Sequence, residues 1–106
     1  MRRMPEALQV TELDVRDPKG FAEYGRRVFP LMQEAGAEVL GVSLGELETV
    51  EGEERRTVWV VSRWPSREAF HSFFADDRYL PLRTVRHAAA DARIVLFDAV
   101  RPEGAP

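Results

Sequence analysis

The 106-residue chain has no cysteine, which excludes disulfides and thiolate chemistry and gives no sign of an oxidising compartment. Lys19 is its single lysine, so nearly all the basic charge is arginine. A coding or temperature bias accounts for that skew. An arginine held on a buried face would mean more, because its fixed fork suits carboxylates and phosphates. No apolar run approaches the roughly 20 residues of a membrane-spanning helix. Met1-Arg2-Arg3-Met4-Pro5 is basic, but no apolar stretch of a secretory signal follows it, so a cytoplasmic protein is expected. His71 and His87 are dispersed, with no H-x-x-x-H spacing, and neither a metal nor a cofactor is expected. Gly41-Val42-Ser43-Leu44-Gly45 lacks the glycine pattern and the lysine of a phosphate loop. Ser43, Ser62, Ser66 and Ser72 have no nucleophile-elbow motif around them. A net charge of −3 argues against nucleic acid or an anionic membrane as partner.

What the chain does have is strands that are apolar on both faces. Thr57–Trp64 and Ala92–Val100 carry apolar side chains at odd and even positions alike. A strand with one buried face should alternate, because successive side chains point to opposite sides of the sheet. The helical segments suffice to cover only one side. The other side needs a partner, and a second copy of the same chain is the simplest one. A homodimer closed through its sheet faces is expected. The length suits one domain, residues 1–106, with a core of about 6–100 and short tails at 1–5 and 101–106.

Ala7–Val15 reads as the first strand. Asp17-Pro18 opens a helix in which Phe21, Tyr24, Val28, Leu31, Met32 and Ala35 form one stripe and Gly36 closes the end. Pro30 lies inside it and predicts a bend near Arg26. Val39–Val50 reads as a second strand, kinked or bulged at Gly41 or Gly45. Glu51-Gly52-Glu53-Glu54 turns it back into a third, Arg55–Trp64. Ser66 caps a short helix holding Ala69, Phe70, Phe73 and Phe74. Asp76 and Asp77 restart the helical path, on which Tyr79, Leu82, Val85, Arg86 and Ala89 share a face. Ala92–Val100 is the last strand. The order βαββαβ, with its second helix broken in two, predicts an α+β fold: a ferredoxin-like, four-stranded antiparallel sheet with the helices on one face.

Tyr24, Pro30, Gly36, Glu51-Gly52, Trp64-Pro65-Ser66, Tyr79 and Arg86 with Ala88-Ala89-Ala90 resemble a bacterial family of the dimeric α/β-barrel superfamily. That family is known as domain of unknown function thirteen-thirty, and the similarity spans roughly Leu8 to Val100. The chain departs from its pattern at Gly36-Ala37, where the family usually has two glycines, and at Asp98-Ala99, where it often has one. The resemblance implies the fold and the dimer. Relatives in the superfamily include cofactor-independent monooxygenases, lactone isomerases and haem-degrading enzymes, with sites between helices and sheet.

Arg86 is the leading candidate for chemistry. On a helix it lies about 20° from Tyr79, inside the arc that should face the sheet. A charge there needs a partner. Either a strand carboxylate, Glu12 or Asp14, bridges it, or it anchors an anionic small molecule at the mouth of a helix–sheet cleft. Tyr24, Trp64 and Tyr79 could line that cleft, or simply fill core and interface, Glu12 is a further candidate for contact with its ligand, and Trp59 suits a sheet-to-sheet seam. His71, on the flank of its helix, is the candidate acid or base, whereas His87 should face solvent. The expected function is a small homodimer binding an anionic or aromatic small molecule. The alternatives are a cofactor-independent enzyme of the monooxygenase or isomerase kind, and a ligand-sensing regulatory domain, which no helix-turn-helix before Leu8 supports.

Overall fold

Strand β1 (Ala7–Val15) runs through the middle of the sheet and sets its geometry. The computed structural model describes residues 5–43, 47–54, 57–100 and 102. After β1 come α1 (Pro18–Glu34), β2 (Glu38–Val42), β3 (Val58–Trp64), α2 (Arg67–Phe74), α3 (Leu80–Ala89) and β4 (Ala90–Asp98). The sheet order is β2-β3-β1-β4, with every neighbouring pair antiparallel. This is the ferredoxin-like α+β architecture that the element order predicts, with the second helix divided into α2 and α3.

Local chemistry places the helices. The Asp17 carboxylate accepts from the Gly20 N–H at 3.1 Å, and Pro18 occupies the first turn, where its missing N–H costs nothing. Ser66 does the same for α2, accepting from the Ala69 N–H at 3.1 Å. Gly36 ends α1 with φ +91°, a conformation that side chains disfavour. The helices then lay Val28, Met32, Phe70, Phe73, Tyr79 and Leu82 on Ala7 and Trp64 of the sheet. Each large side chain buried this way contributes roughly 1.5–3 kcal/mol.

Strand boundaries differ from expectation at both edges. β2 stops at Val42 instead of reaching Val50, and residues 47–50 are not strand. At that point the Ser43 hydroxyl accepts the Trp59 N–H at 2.8 Å, taking the place of a backbone carbonyl in the ladder. The expected irregularity falls between Val39 and Gly41; Gly45, the alternative, lies outside the described residues. β3 begins at Val58, and Arg55 and Arg56 also lie outside them. β4 starts two residues earlier than expected and ends at Asp98, because small Ala90 passes directly from α3 into pairing with Val15.

All three helices cover the side carrying Ala7, Gln9, Thr11 and Leu13, so the even positions of β1 face the other way. There Val10 stands between Val61 and Val95, and Leu8 opposite Phe97, which is 42% exposed. Among the described residues no helix is long and apolar enough to cross a membrane.

Candidate functional site

A cavity of about 340 Å³ lies between α1, the α2–α3 corner and the helix-facing side of the sheet. Phe21, Tyr24, Val28 and Met32 of α1 roof it, and Phe70, Phe73, Tyr79 and Arg86 form its far wall. Gln9, Thr11 and Ser62 project from the strands as a polar floor. Its size lies at the lower end of the ~300–1,000 Å³ range of ligand sites, and its mostly apolar walls with a few convergent polar groups match their usual make-up.

Tyr79 reaches the cavity through a tight turn. Its N–H donates to the Asp76 carbonyl at 2.9 Å, while the Arg78 N–H donates to the Asp76 carboxylate at 2.7 Å. That backbone bond, reinforced by the Arg78 guanidinium, holds the Asp76 carboxyl below its ordinary range. Across the cavity wall the Tyr24 and Tyr79 hydroxyls are 3.1 Å apart. Burial, then the neighbouring Tyr79, pushes the Tyr24 phenol upward against a weaker pull from Arg86, so it stays neutral at physiological pH.

Arg86 is only 4% exposed. Its guanidinium lies 5.9 Å from the centre of the Tyr24 ring, and Nη2 is 3.2 Å from His87 Nε2. Among the described residues Nε has no partner and no carboxylate pairs with this cation. The expected bridge to Glu12 is therefore corrected: Glu12 has even parity on β1, faces away from the helices and accepts from Arg93 Nη1 at 2.9 Å. Asp14 shares that parity and that face. For the same reason Glu12 does not belong to the cleft, where it was expected to contribute.

Trp64, Tyr24 and Tyr79 do meet around the cavity, as the aromatic candidates would. Trp64 Nε1 donates to Gln9 Oε1 at 2.8 Å, and Gln9 Nε2 donates to Thr11 Oγ1 at 2.9 Å. His71 does not join them. It sits exposed on α2 with its ring against Phe70, outside the cavity, because the apolar stripe of so short a helix leaves that position on the solvent side. His87 is exposed as expected, yet its ring touches Arg86. Gln9, Thr11 and Ser62 were not anticipated. Their signal was parity: each is a polar residue at a position whose strand neighbours two away, Ala7, Leu13 and Trp64, are core.

A wider hollow of about 880 Å³ lies between residues 47–54 and Trp59. Residues 47–54 are exposed throughout, and the hollow gathers no buried polar group among the described residues, so the smaller cavity is the candidate site.

Comparisons with solved structures agree on the fold. The RPA0582 protein of unknown function from Rhodopseudomonas palustris superposes with a TM-score of 0.80 at 22% identity, covering 94% of this chain and 86% of that one. SnoaB, a cofactor-independent oxygenase from Streptomyces nogalater, does so at 0.68 and 19% identity, covering 93% and 97%. A dimeric protein of unknown function with a ferredoxin-like fold from Bacteroides fragilis gives 0.61 at 7% identity, covering 92% and 99%. No functionally curated protein matches the sequence. Residues 6–100 match a family described as a domain of unknown function, DUF1330, and the chain belongs to that family.

Proposed function

We propose that this protein binds a small aromatic anion in the helix–sheet cavity and does so as a homodimer joined through the outer sheet faces. One observation carries the ligand reading: Arg86 is buried against a mostly apolar cavity with no carboxylate among the described residues to balance it. The Tyr24 phenol and ring and His87 lie beside it, but none of them carries a counter-charge, and a buried cation without one is costly. A carboxylate or phenolate on a planar apolar body supplies both the missing charge and the matching surface.

The dimer reading rests on the sheet. Leu8, Val10, Val61, Val95 and Phe97 form a contiguous apolar face that none of the three helices covers. A contiguous apolar sheet face marks a contact surface, and a two-fold contact covers both copies at once. The neighbour of this fold from Bacteroides fragilis is itself dimeric, which supports a homodimer.

The test is a thermal-shift and calorimetric screen of aromatic carboxylates and phenolates against their methyl esters and ethers. The charged members should stabilise the protein and the neutral ones should not. Arg86→Gln should weaken the best acid at least about tenfold, near the ~1.5–3 kcal/mol of a charge-assisted hydrogen bond. Unchanged affinity in Arg86→Gln would overturn the reading. Arg86→Met serves as the folding control, since replacing a buried charge by an apolar side chain of similar volume is often neutral or stabilising.

A second reading, cofactor-independent oxygenation, is favoured by the same buried cation. It would hold an aromatic alcohol as its anion, on the fold shared with SnoaB, a cofactor-independent oxygenase. Oxygen uptake in a closed cell separates the two. Uptake that depends on both ligand and Arg86 supports the enzyme, and ligand binding without uptake supports the binding protein.

A further inference from the structure

Ser62 is 1% exposed, its side chain lines the cavity floor, and its hydroxyl has no hydrogen-bond partner among the described residues. Such an orphan costs about 1–3 kcal/mol, and native proteins seldom keep one without a use. It stands in register with Gln9 on the central strand. Gln9 itself is engaged at both ends, accepting from Trp64 and donating to Thr11. Thr11, 7% exposed, spends its oxygen as an acceptor there, which leaves its own proton to give. The floor therefore presents two hydroxyls, one unpartnered and one with a spare donor. Arg86 stands on the far wall, carried by a different element.

From this arrangement we infer that the site takes a two-ended ligand: an aromatic anion that also bears a neutral hydroxyl or carbonyl, read by Ser62 and Thr11 on the floor. The inference rests on the anion reading above and narrows it from aromatic acids in general to hydroxylated or oxygenated ones. Ser62 and Thr11 act as specificity residues. Their hydroxyls both donate and accept, so a ligand hydroxyl fits by either role and a ring carbonyl by accepting alone. A site built to hydrogen-bond such a group discriminates against the analogue lacking it, because the protein's own buried polar atoms are then left unpaired.

The probes are 1- and 2-naphthoate and their monohydroxy isomers, with affinities measured by calorimetry on the full chain. In the wild type at least one hydroxy isomer should bind about three- to tenfold more tightly than its parent acid, the range expected of one net hydrogen bond. Ser62→Ala should abolish that gain and leave the parent acid within about twofold of its wild-type affinity. Thr11→Val, which keeps the side-chain shape, should reduce the gain in the same selective manner. If no hydroxy isomer gains over its parent, or if Ser62→Ala weakens parent and derivative equally, the inference is wrong while the anion site stands. If none of the acids binds the wild type, or if Arg86→Gln binds them all as well, the underlying reading falls and takes this one with it.

Discussion

The phenol oxygens of Tyr24 and Tyr79 lie 3.1 Å apart and tie the middle of α1 to the residue just before α3. Tyr79 is almost wholly buried, so its hydroxyl depends on that contact. Tyr24→Phe should therefore cost about 1–2 kcal/mol, and Tyr79→Phe a similar amount. The double variant should lose clearly less than the sum, since it leaves no widowed hydroxyl behind. A urea-denaturation cycle over the four proteins measures this, and strictly additive losses would mean the two hydroxyls do not interact.

The same pair predicts behaviour at alkaline pH. The folded state raises the Tyr24 phenol above its ordinary value of about 10, chiefly by burial and then through Tyr79. Below about pH 10 both folded and unfolded chains keep the proton, and the group adds no slope. Above it the unfolded chain releases a proton the folded chain retains, so stability falls by up to about 1.4 kcal/mol per pH unit. Between pH 9 and 11 the wild type should therefore lose stability more steeply than Tyr24→Phe, as read from urea midpoints. Parallel curves would contradict the burial of this phenol.

Val10 sits between Val61 and Val95 on the outer face of the sheet. Val10→Glu should convert the proposed dimer to a monomer at micromolar concentration, as measured by light scattering after gel filtration. Thr11→Val, one residue along but on the inner face, should leave the mass unchanged. A wild type that is monomeric under these conditions would dispose of the dimer.

Gly36 closes α1 at φ +91°, and a Cβ added there would lie 2.9 Å from Pro65 Cγ. Gly36→Ala combines an unfavourable backbone conformation with a steric conflict against a rigid ring. It should destabilise by more than about 1 kcal/mol. Gly41, with no atom within 4 Å of such a Cβ, is the control, and Gly41→Ala should cost less.

Much of the fold was legible in the sequence because its signals were redundant. Asp17-Pro18, Gly36 and Ser66 punctuate the helices, and the apolar stripe of α1 has helical spacing throughout. The end of β2 was not legible, since it depends on the Ser43 hydroxyl replacing a ladder carbonyl, which no propensity encodes. At the site, the angular position of Arg86 on its helix was enough to place it inward, as the structure has it. Its partner could not be read the same way. Glu12 looked suitable by charge, yet strand alternation sends it to the opposite face and to Arg93. Applying that alternation rule to β1 and β3 would have rejected Glu12 and singled out Thr11 and Ser62 in one step.

Because β1 lies between β3 and β4, hydrogen-bonded on both sides, its odd and even residues belong to two separate surfaces that share one backbone. Point substitutions can therefore retune the cavity while sparing the outer sheet, or the reverse. A single-residue insertion or deletion within this strand has no such freedom. On one side of the change it would turn the even residues beneath the helices and the odd ones outward, disturbing both surfaces at one stroke. Length variation among related chains should accordingly be tolerated in the connection between β2 and β3 and be refused along Ala7–Val15.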